Sequence, residues 1–210
     1  MAWAKEKDET GQPDLNTALP WIPEKNDRRE YVARVRTLLA EKVKRRERNA
    51  PAPVELRPWF GQMIAATAWQ ESCFSQFRLA GERPAYLRSY NGSSVGLMQI
   101  NERVWRGMYE IPSLRWDIAY NADAGIDILS LYLSRFALPS AAKKKLDLPP
   151  PHLAGALYAM YNGGPGQFSK YLSRKQKGKL YESDRLFAEK YERVVKGDWE
   201  MTKGCLATGK

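Results

Sequence analysis

PWFGQMIAATAWQESC, residues 58–73, carries a helical pattern that ends in a carboxyl group. Its apolar residues recur at steps of three and four, as on the buried face of a helix. They are Phe60, Met63, Ile64 and Ala68. A further step of three from Ala68 reaches Glu71. The pattern therefore predicts a helix from about Pro58 to Cys73 that has a carboxyl group on its inner face.

A carboxyl group on the inner face of a helix indicates chemistry. Removal from water disfavours its ionised form and raises its pKa. A carboxyl group that keeps its proton near neutrality can serve as a general acid. Glu71 is therefore the candidate acid. The structural alternative is that Glu71 caps a neighbouring helix or pairs with an arginine, and this residue alone does not separate the two.

The run Gly96-Leu97-Met98-Gln99-Ile100-Asn101 favours the chemical interpretation. Gly96 lets the backbone approach a ligand closely. Gln99 offers both a donor and an acceptor, which the acetamido groups of amino sugars require. Met98 can lie against an apolar sugar face, although a methionine in the core is the commoner arrangement.

A second run, Tyr161-Asn162-Gly163-Gly164-Pro165, ends an apolar helical segment. The phenol of Tyr161 can hydrogen-bond a reacting centre without adding charge, and Asn162 places an amide beside it. A half-buried tyrosine of the core is the alternative for this position. Together the three motifs indicate a general acid that faces a sugar.

The rest of the chain is also patterned for helices, so the predicted fold class is mainly α. Residues 1–25 are polar and proline-containing, which predicts an extended arm. Residues 77–100 are irregular, and the turn signal Asn91-Gly92 allows at most a small β-hairpin. The remaining predicted helices cover 27–48, the segments capped by Asn101 and by Asn121 (the latter stopping before Pro139), the segment from Leu153 to Tyr161, the segment after Pro165 and the segment from Ser183.

The composition is that of an ordinary globular chain with a large excess of basic over acidic residues. The 210 residues are 43% hydrophobic and 28% charged, which fits one domain with appendages. The net charge of +10 suggests a polyanionic partner, namely nucleic acid, anionic lipid or an acidic wall polymer, or else only solubility. No apolar run reaches the roughly 18 residues of a transmembrane helix, and residues 1–10 lack a secretory apolar stretch.

Other chemistries find little support. His152 is the single histidine, and the two cysteines, Cys73 and Cys205, lie far apart, so no metal-ligand pattern is present and we expect neither a metal nor a cofactor. No phosphate-binding glycine loop occurs. The basic helix over 27–48 carries no nucleic-acid reading motif, so nucleic acid is not an expected partner.

At these motifs the sequence resembles the soluble lytic transglycosylases, relatives of the goose-type lysozymes. Glu71-Ser72, the run 96–99 and Tyr161-Asn162 stand in the order of that family, over roughly residues 57–173. The resemblance implies a lysozyme-like helical domain with a cleft. It also implies cleavage of the β-1,4 bond between N-acetylmuramic acid and N-acetylglucosamine to a 1,6-anhydromuramyl product, with Glu71 as general acid and base. The cleft residues it implies are Ser72, Gly96, Met98, Gln99, Tyr161 and Asn162.

The resemblance also implies a substrate, a location and a partner for the protein. It implies peptidoglycan glycan strands as substrate, the periplasm or cell envelope as location, and an envelope-spanning complex as a candidate partner. We expect an N-terminal arm and basic helix over 1–50, the catalytic domain over 51–176, and a C-terminal helix over 177–210 that packs on the same domain.

The chain departs from the family pattern along the cleft, where Asn101 also follows Ile100 in place of the common Met-Pro, and two alternative functions stay open. Glu71 and Gln99 lie 28 positions apart, so the intervening loop is long, and Ser93-Ser94 stands where Gly-Ala is common. A muramidase on the same fold would use water and a second acid, for which Asp117, Asp123 and Glu102 are candidates. A wall-binding module without turnover is the other alternative.

Overall fold

Helix α2 (Arg57–Ser72) is the buried centre of the computed structural model, which describes residues 17–23, 27–49 and 57–202. The four residues of its predicted apolar face are all buried, which confirms the predicted helix. Trp59, Ala66, Thr67 and Trp69 on the other faces are buried as well. The reason is that α1 (Arg28–Asn49), α7 (Pro150–Gly163) and α9 (Glu182–Lys196) all pack on α2.

Helix α1 confirms the helix predicted over 27–48. It buries Tyr31, Val35, Leu39 and Val43 in the same core as α2, and the Tyr31 hydroxyl donates to the backbone oxygen of Phe74 at 2.9 Å. Within the predicted extended arm, the described residues 17–23 include a 3-10 turn at Leu19–Trp21, and the rest of 1–25 lies largely outside the described residues. The division of the chain at residues 50 and 176 stays a prediction.

The segment around Asn121 differs from its prediction. The N-cap of α5 (Ile118–Tyr132) is Asp117, whose carboxylate accepts from the backbone N–H groups of Ala119 and Tyr120. The prediction that Asn121 caps this helix is therefore wrong, and Asn121 is fully buried inside its first turns. The helical path also continues past Pro139, because a π turn (Leu133–Ala137) leads into α6 (Leu138–Lys143) and the proline lies in the first turn of α6.

The remaining helices are short or terminal. They are α3 (Glu102–Trp105), α4 (Ile111–Trp116) and α8 (Gln167–Gln176). Asn101 caps α3 as predicted, since its side chain accepts from the backbone N–H groups of Arg103 and Val104. Helix α9 begins one residue before the predicted Ser183 and buries Phe187, Tyr191 and Val194. Among the described helices, none has the length and apolarity that a bilayer crossing needs.

Two small antiparallel strand pairs lie between α2 and α3. Strand β1 (Phe77–Ala80) pairs with β2 (Arg83–Tyr86), and β3 (Ser94–Val95) pairs with β4 (Ile100–Asn101). The predicted turn at Asn91-Gly92 is confirmed, because the backbone N–H of Gly92 donates to Ser89 and Arg88 bridges Val95 across it. The fold class is mainly α, as predicted.

Candidate active site

Glu71 lies in the last turn of α2, half-buried at the wall of a cavity of about 110 Å³. The chain folds this way because the apolar face of α2 is held in the core up to Ala68, and the next step of the helix brings Glu71 to the edge of that core. The cavity is lined by Glu71, Ser94, Gln99, Ile100, Asn101, Trp105, Ile128, Tyr161 and Asn162.

The electrostatics of Glu71 favour its protonated form. Burial raises the pKa of this carboxyl to about 7, although a hydrogen bond with the side chain of Tyr158 and the positive charge of Lys190 both lower it. The negative end of the α2 dipole lies in the same turn and also disfavours a carboxylate. Lys190 donates to the side-chain oxygen of Gln70 at 2.5 Å and acts on Glu71 through its charge. None of the ion pairs among the described residues joins Glu71 to an arginine.

Two buried amides hold the loop Gly96–Gln99 opposite Glu71. The side-chain oxygen of Gln76 accepts from the backbone N–H of Leu97 at 2.7 Å, and that of Asn121 accepts from Met98 at 2.8 Å. Their amide nitrogens donate onward to backbone oxygens of Val95, Leu114 and Arg115. Both side chains are fully buried, so the loop is fixed by hydrogen bonds that water does not weaken.

The loop is also tied to the two helices beside it. The Ser72 hydroxyl of α2 lies 2.6 Å from the backbone oxygen of Leu97. The Tyr161 hydroxyl of α7 donates to the backbone oxygen of Met98 at 2.6 Å. Burial raises the pKa of Tyr161 well above its ordinary value, so the phenol stays neutral. These bonds tie the loop to the helix that carries Glu71 and to α7.

Gly96 is the position of the loop that admits no side chain. Its φ is +76°, and an added Cβ would lie 2.4 Å from the Asn121 amide nitrogen and 2.5 Å from the Gln76 side-chain oxygen. Gln99 also adopts a positive φ, +48°, and its side chain donates back to the Gly96 oxygen at 2.9 Å. The glycine therefore serves the packing of the two amides, rather than a close approach to a ligand as the sequence analysis expected.

The structure separates the predicted site residues into two groups. Gln99, Tyr161 and Asn162 line the cavity together with Glu71. Ser72, Gly96 and Met98 lie behind it: all three are buried, and Met98 packs against Gly125 of α5. In this conformation the Met98 side chain has no exposed surface for a sugar, which agrees with the core alternative stated for it above.

Sequence reasoning did not predict Ser94, Trp105 and Ile128 in the cavity lining, and it missed four residues that support the site. Gln76, Tyr158 and Lys190 were not identified, and Asn121 was given the role of a helix cap. Tyr158 had a signal, because it lies three residues before Tyr161 and so shares its helix face. Gln76 had a weaker one, as a polar residue between the apolar Phe74 and Phe77.

The candidate second acids are engaged elsewhere. Asp117 caps α5, Asp123 accepts from Lys42 and Arg45, and Glu102 binds Arg115 through both of its oxygens. None of the three lines the cavity. Among the described residues that line it, Glu71 is the one that carries a carboxyl group.

The groups that serve other chemistries lie apart from the cavity. Burial and the charge of Lys175 lower the pKa of His152, which lies at the start of α7. Cys73 is disulfide-bonded, and the other cysteine of the sequence, Cys205, lies outside the described residues. Within the described ranges no group of three or more His, Cys, Asp or Glu side chains could hold a metal ion.

Comparison with known families agrees with this geometry. The family model for the transglycosylase SLT domain matches residues 60–183, more than half of the chain. No curated protein and no solved structure matches the sequence. The chain belongs to the transglycosylase SLT domain family. It is therefore a lysozyme-like, mainly α protein of a transglycosylase type that acts on peptidoglycan, as the resemblance implied.

Proposed function

We propose that this chain is a lytic transglycosylase that cleaves the β-1,4 bond between N-acetylmuramic acid and N-acetylglucosamine without water. The observation that carries the proposal is a cavity in which Glu71 is the single carboxyl group among the described lining residues, with a pKa of about 7. Such a group is protonated in a large fraction of molecules at neutral pH, as a general acid must be.

One carboxyl group can complete the proposed reaction. Protonated Glu71 donates its proton to the glycosidic oxygen, and the bond from C1 of the muramyl residue to that oxygen breaks. The acetamido oxygen of the same sugar stabilises the positive centre. The Glu71 carboxylate then accepts the proton of the muramyl 6-hydroxyl, whose oxygen bonds to C1 and closes the 1,6-anhydro ring. The nucleophile is already attached to the substrate, so no encounter with water is required.

The neighbours of Glu71 are assigned from their hydrogen bonds. The proton of Tyr161 is committed to the backbone oxygen of Met98, so its oxygen can only accept from a sugar hydroxyl. Gln99 and Asn162 supply amides to the acetamido groups. Ser72, Gly96 and Met98 act through the loop they support. Tyr158 positions the acid, because it hydrogen-bonds Glu71 from the buried side.

The proposal is tested with Glu71→Gln, which keeps the shape of the side chain and cannot donate a proton to the leaving oxygen. We expect cleavage of purified peptidoglycan to fall by at least ~10²-fold, with unchanged folding and wall binding. The matched control is Glu82→Gln, the same change at an exposed residue of the β1–β2 turn. Unchanged cleavage by the Glu71 variant would remove the catalytic assignment.

Product analysis separates the proposed reaction from hydrolysis. Mass spectrometry of the digest should show muramyl ends lighter by one water than hydrolytic ends. Reducing muramyl ends throughout would instead indicate a muramidase.

A protein with this substrate is proposed to act in the periplasm or cell envelope. The proposed division of the chain is an arm with a basic helix over 1–50, a catalytic domain over 51–176 and a terminal helix over 177–210.

A further inference from the structure

A second cavity, of about 620 Å³, lies between α1 and α5. We call it the α1–α5 pocket, and its lining includes Lys42, Arg45, Arg46, Tyr109, Asp123 and Asp127. Its volume is within the range of roughly 300–1,000 Å³ that is usual for ligand sites. It is larger than the cavity at Glu71, and the function proposed above does not use it.

The charges of the α1–α5 pocket are mixed, with an excess of cations. Lys42 and Arg45 both donate to the same oxygen of Asp123, each at 2.7 Å, and Arg46 pairs with Asp127. These five groups comprise three cations and two carboxylates, so they carry one net positive charge. The Arg45 side chain is 55% exposed and shares its carboxylate with Lys42, which leaves guanidinium donors directed at solvent.

The pocket adjoins the cavity at Glu71 through a common wall. Trp105 lines the Glu71 cavity and Tyr109 lines the α1–α5 pocket, with ring centroids 6.0 Å apart. On α5, Ile128 belongs to the Glu71 cavity and Ala124, one turn earlier, to the pocket. The Tyr109 hydroxyl lies 3.5 Å from the backbone oxygen of Ala124, which joins the two parts of the wall.

The cations of the pocket come from a part of the chain that the family match does not include. Lys42, Arg45 and Arg46 lie on α1, before the matched residues 60–183. The pocket is thus formed where an additional helix of this chain covers the family domain.

We propose that the α1–α5 pocket binds the peptide stem of the substrate, through the carboxylates of that peptide. This inference rests on the proposed function, because the stem is attached to the muramyl residue whose C1 reacts beside Glu71. An acidic peptide in the pocket would find the exposed Arg45 side chain as its donor, while Tyr109 offers an aromatic wall to its side chains. Arginine suits this role because its fork binds a carboxylate with two parallel hydrogen bonds.

The test compares cleavage of glycan strands that carry their stems with cleavage of strands stripped of stems by an amidase. The measured ratio is kcat/KM for strands that carry stems divided by kcat/KM for stripped strands. Arg45→Gln should lower this ratio about tenfold, as loss of one charge-assisted contact does. Arg45→Lys keeps the charge but loses the two-pronged fork, so it should lower the ratio by less than Arg45→Gln does. Lys170→Gln removes a charge from an exposed position on α8 and should leave the ratio at the wild-type value.

A binding measurement keeps this inference separate from the catalytic one. Calorimetric titration of the free tripeptide L-alanyl-γ-D-glutamyl-diaminopimelate into Glu71→Gln should show binding that the added change Arg45→Gln weakens about tenfold. Unchanged cleavage by Glu71→Gln would remove the proposed function and leave this titration intact. No binding of the tripeptide, or a substrate ratio unchanged by Arg45→Gln in a protein with the wild-type Tm, would overturn the stem-peptide assignment.

Discussion

Replacement of Gly96 by alanine tests whether the two buried amides fix the catalytic loop. The new Cβ would lie 2.4 Å from Asn121 and 2.5 Å from Gln76, distances that force both amides to move. The backbone N–H groups of Leu97 and Met98 then lose their acceptors. Each buried donor left unsatisfied costs about 1–3 kcal/mol, and a non-glycine residue at positive φ adds about 1 kcal/mol.

The expected total is a loss of about 4 kcal/mol in the free energy of unfolding, which for a chain of this length corresponds to a fall in Tm of about 10 °C. Urea unfolding followed by tryptophan fluorescence, together with a thermal scan, measures it. The matched control is Gly197→Ala at the end of α9, where φ is +70° and nothing lies within 4 Å of the added Cβ. The control should lose only about 1 kcal/mol. Equal losses in the two variants would refute the role of the amides.

Four further predictions concern the acid and its neighbours. If Glu71 must donate a proton, kcat/KM, which reports the free enzyme, should fall about tenfold per pH unit above a pKa of about 7; a flat alkaline limb would contradict it. Folding raises this pKa from 4.5 to about 7, so the free energy of unfolding should decrease as pH rises from about 4.5 to 7. The free energy of unfolding of Glu71→Gln should therefore exceed that of wild type by up to about 3 kcal/mol at pH 8 and equal it at pH 4. Tyr158→Phe removes a hydrogen bond that lowers the pKa of Glu71, so the alkaline limb should move to higher pH, whereas a shift to lower pH would show the opposite coupling. Tyr161→Phe leaves the Met98 oxygen without its donor and should cost about 1–3 kcal/mol in urea unfolding together with a loss of activity; wild-type stability would show that water replaces the phenol.

The helices were predictable because their signal is local. The spacing of Phe60, Met63, Ile64 and Ala68 is a property of α2 alone, and so is the capping of α3 by Asn101. The same spacing placed Glu71 at the edge of the core, where burial raises its pKa. Periodicity thus reached the central residue of the candidate site without any knowledge of its neighbours.

The supports of the site were not predictable, because they depend on partners far away in the sequence. Asn121 has the residue type of a helix cap, yet it is buried inside α5 and its amide serves a loop some 23 residues earlier. Gln76 makes its contacts 21 and 38 residues away. Nothing in a local window distinguishes an amide that caps a helix from one that holds a distant loop. The basic residues of α1 likewise look like a solvated face until α5 is placed against them.

The complete pairing of the Gly96–Gln99 loop has a thermodynamic consequence. From the N–H of Gly96 to the N–H of Gln99, every backbone polar group already has a partner within the protein. Binding of a glycan therefore requires little additional ordering of the backbone on this side of the cavity. Amide hydrogen exchange at Leu97 and Met98 should be as slow in the empty protein as in the complex. Selectivity for the sugar would then come from a loop conformation that is already fixed before the sugar binds.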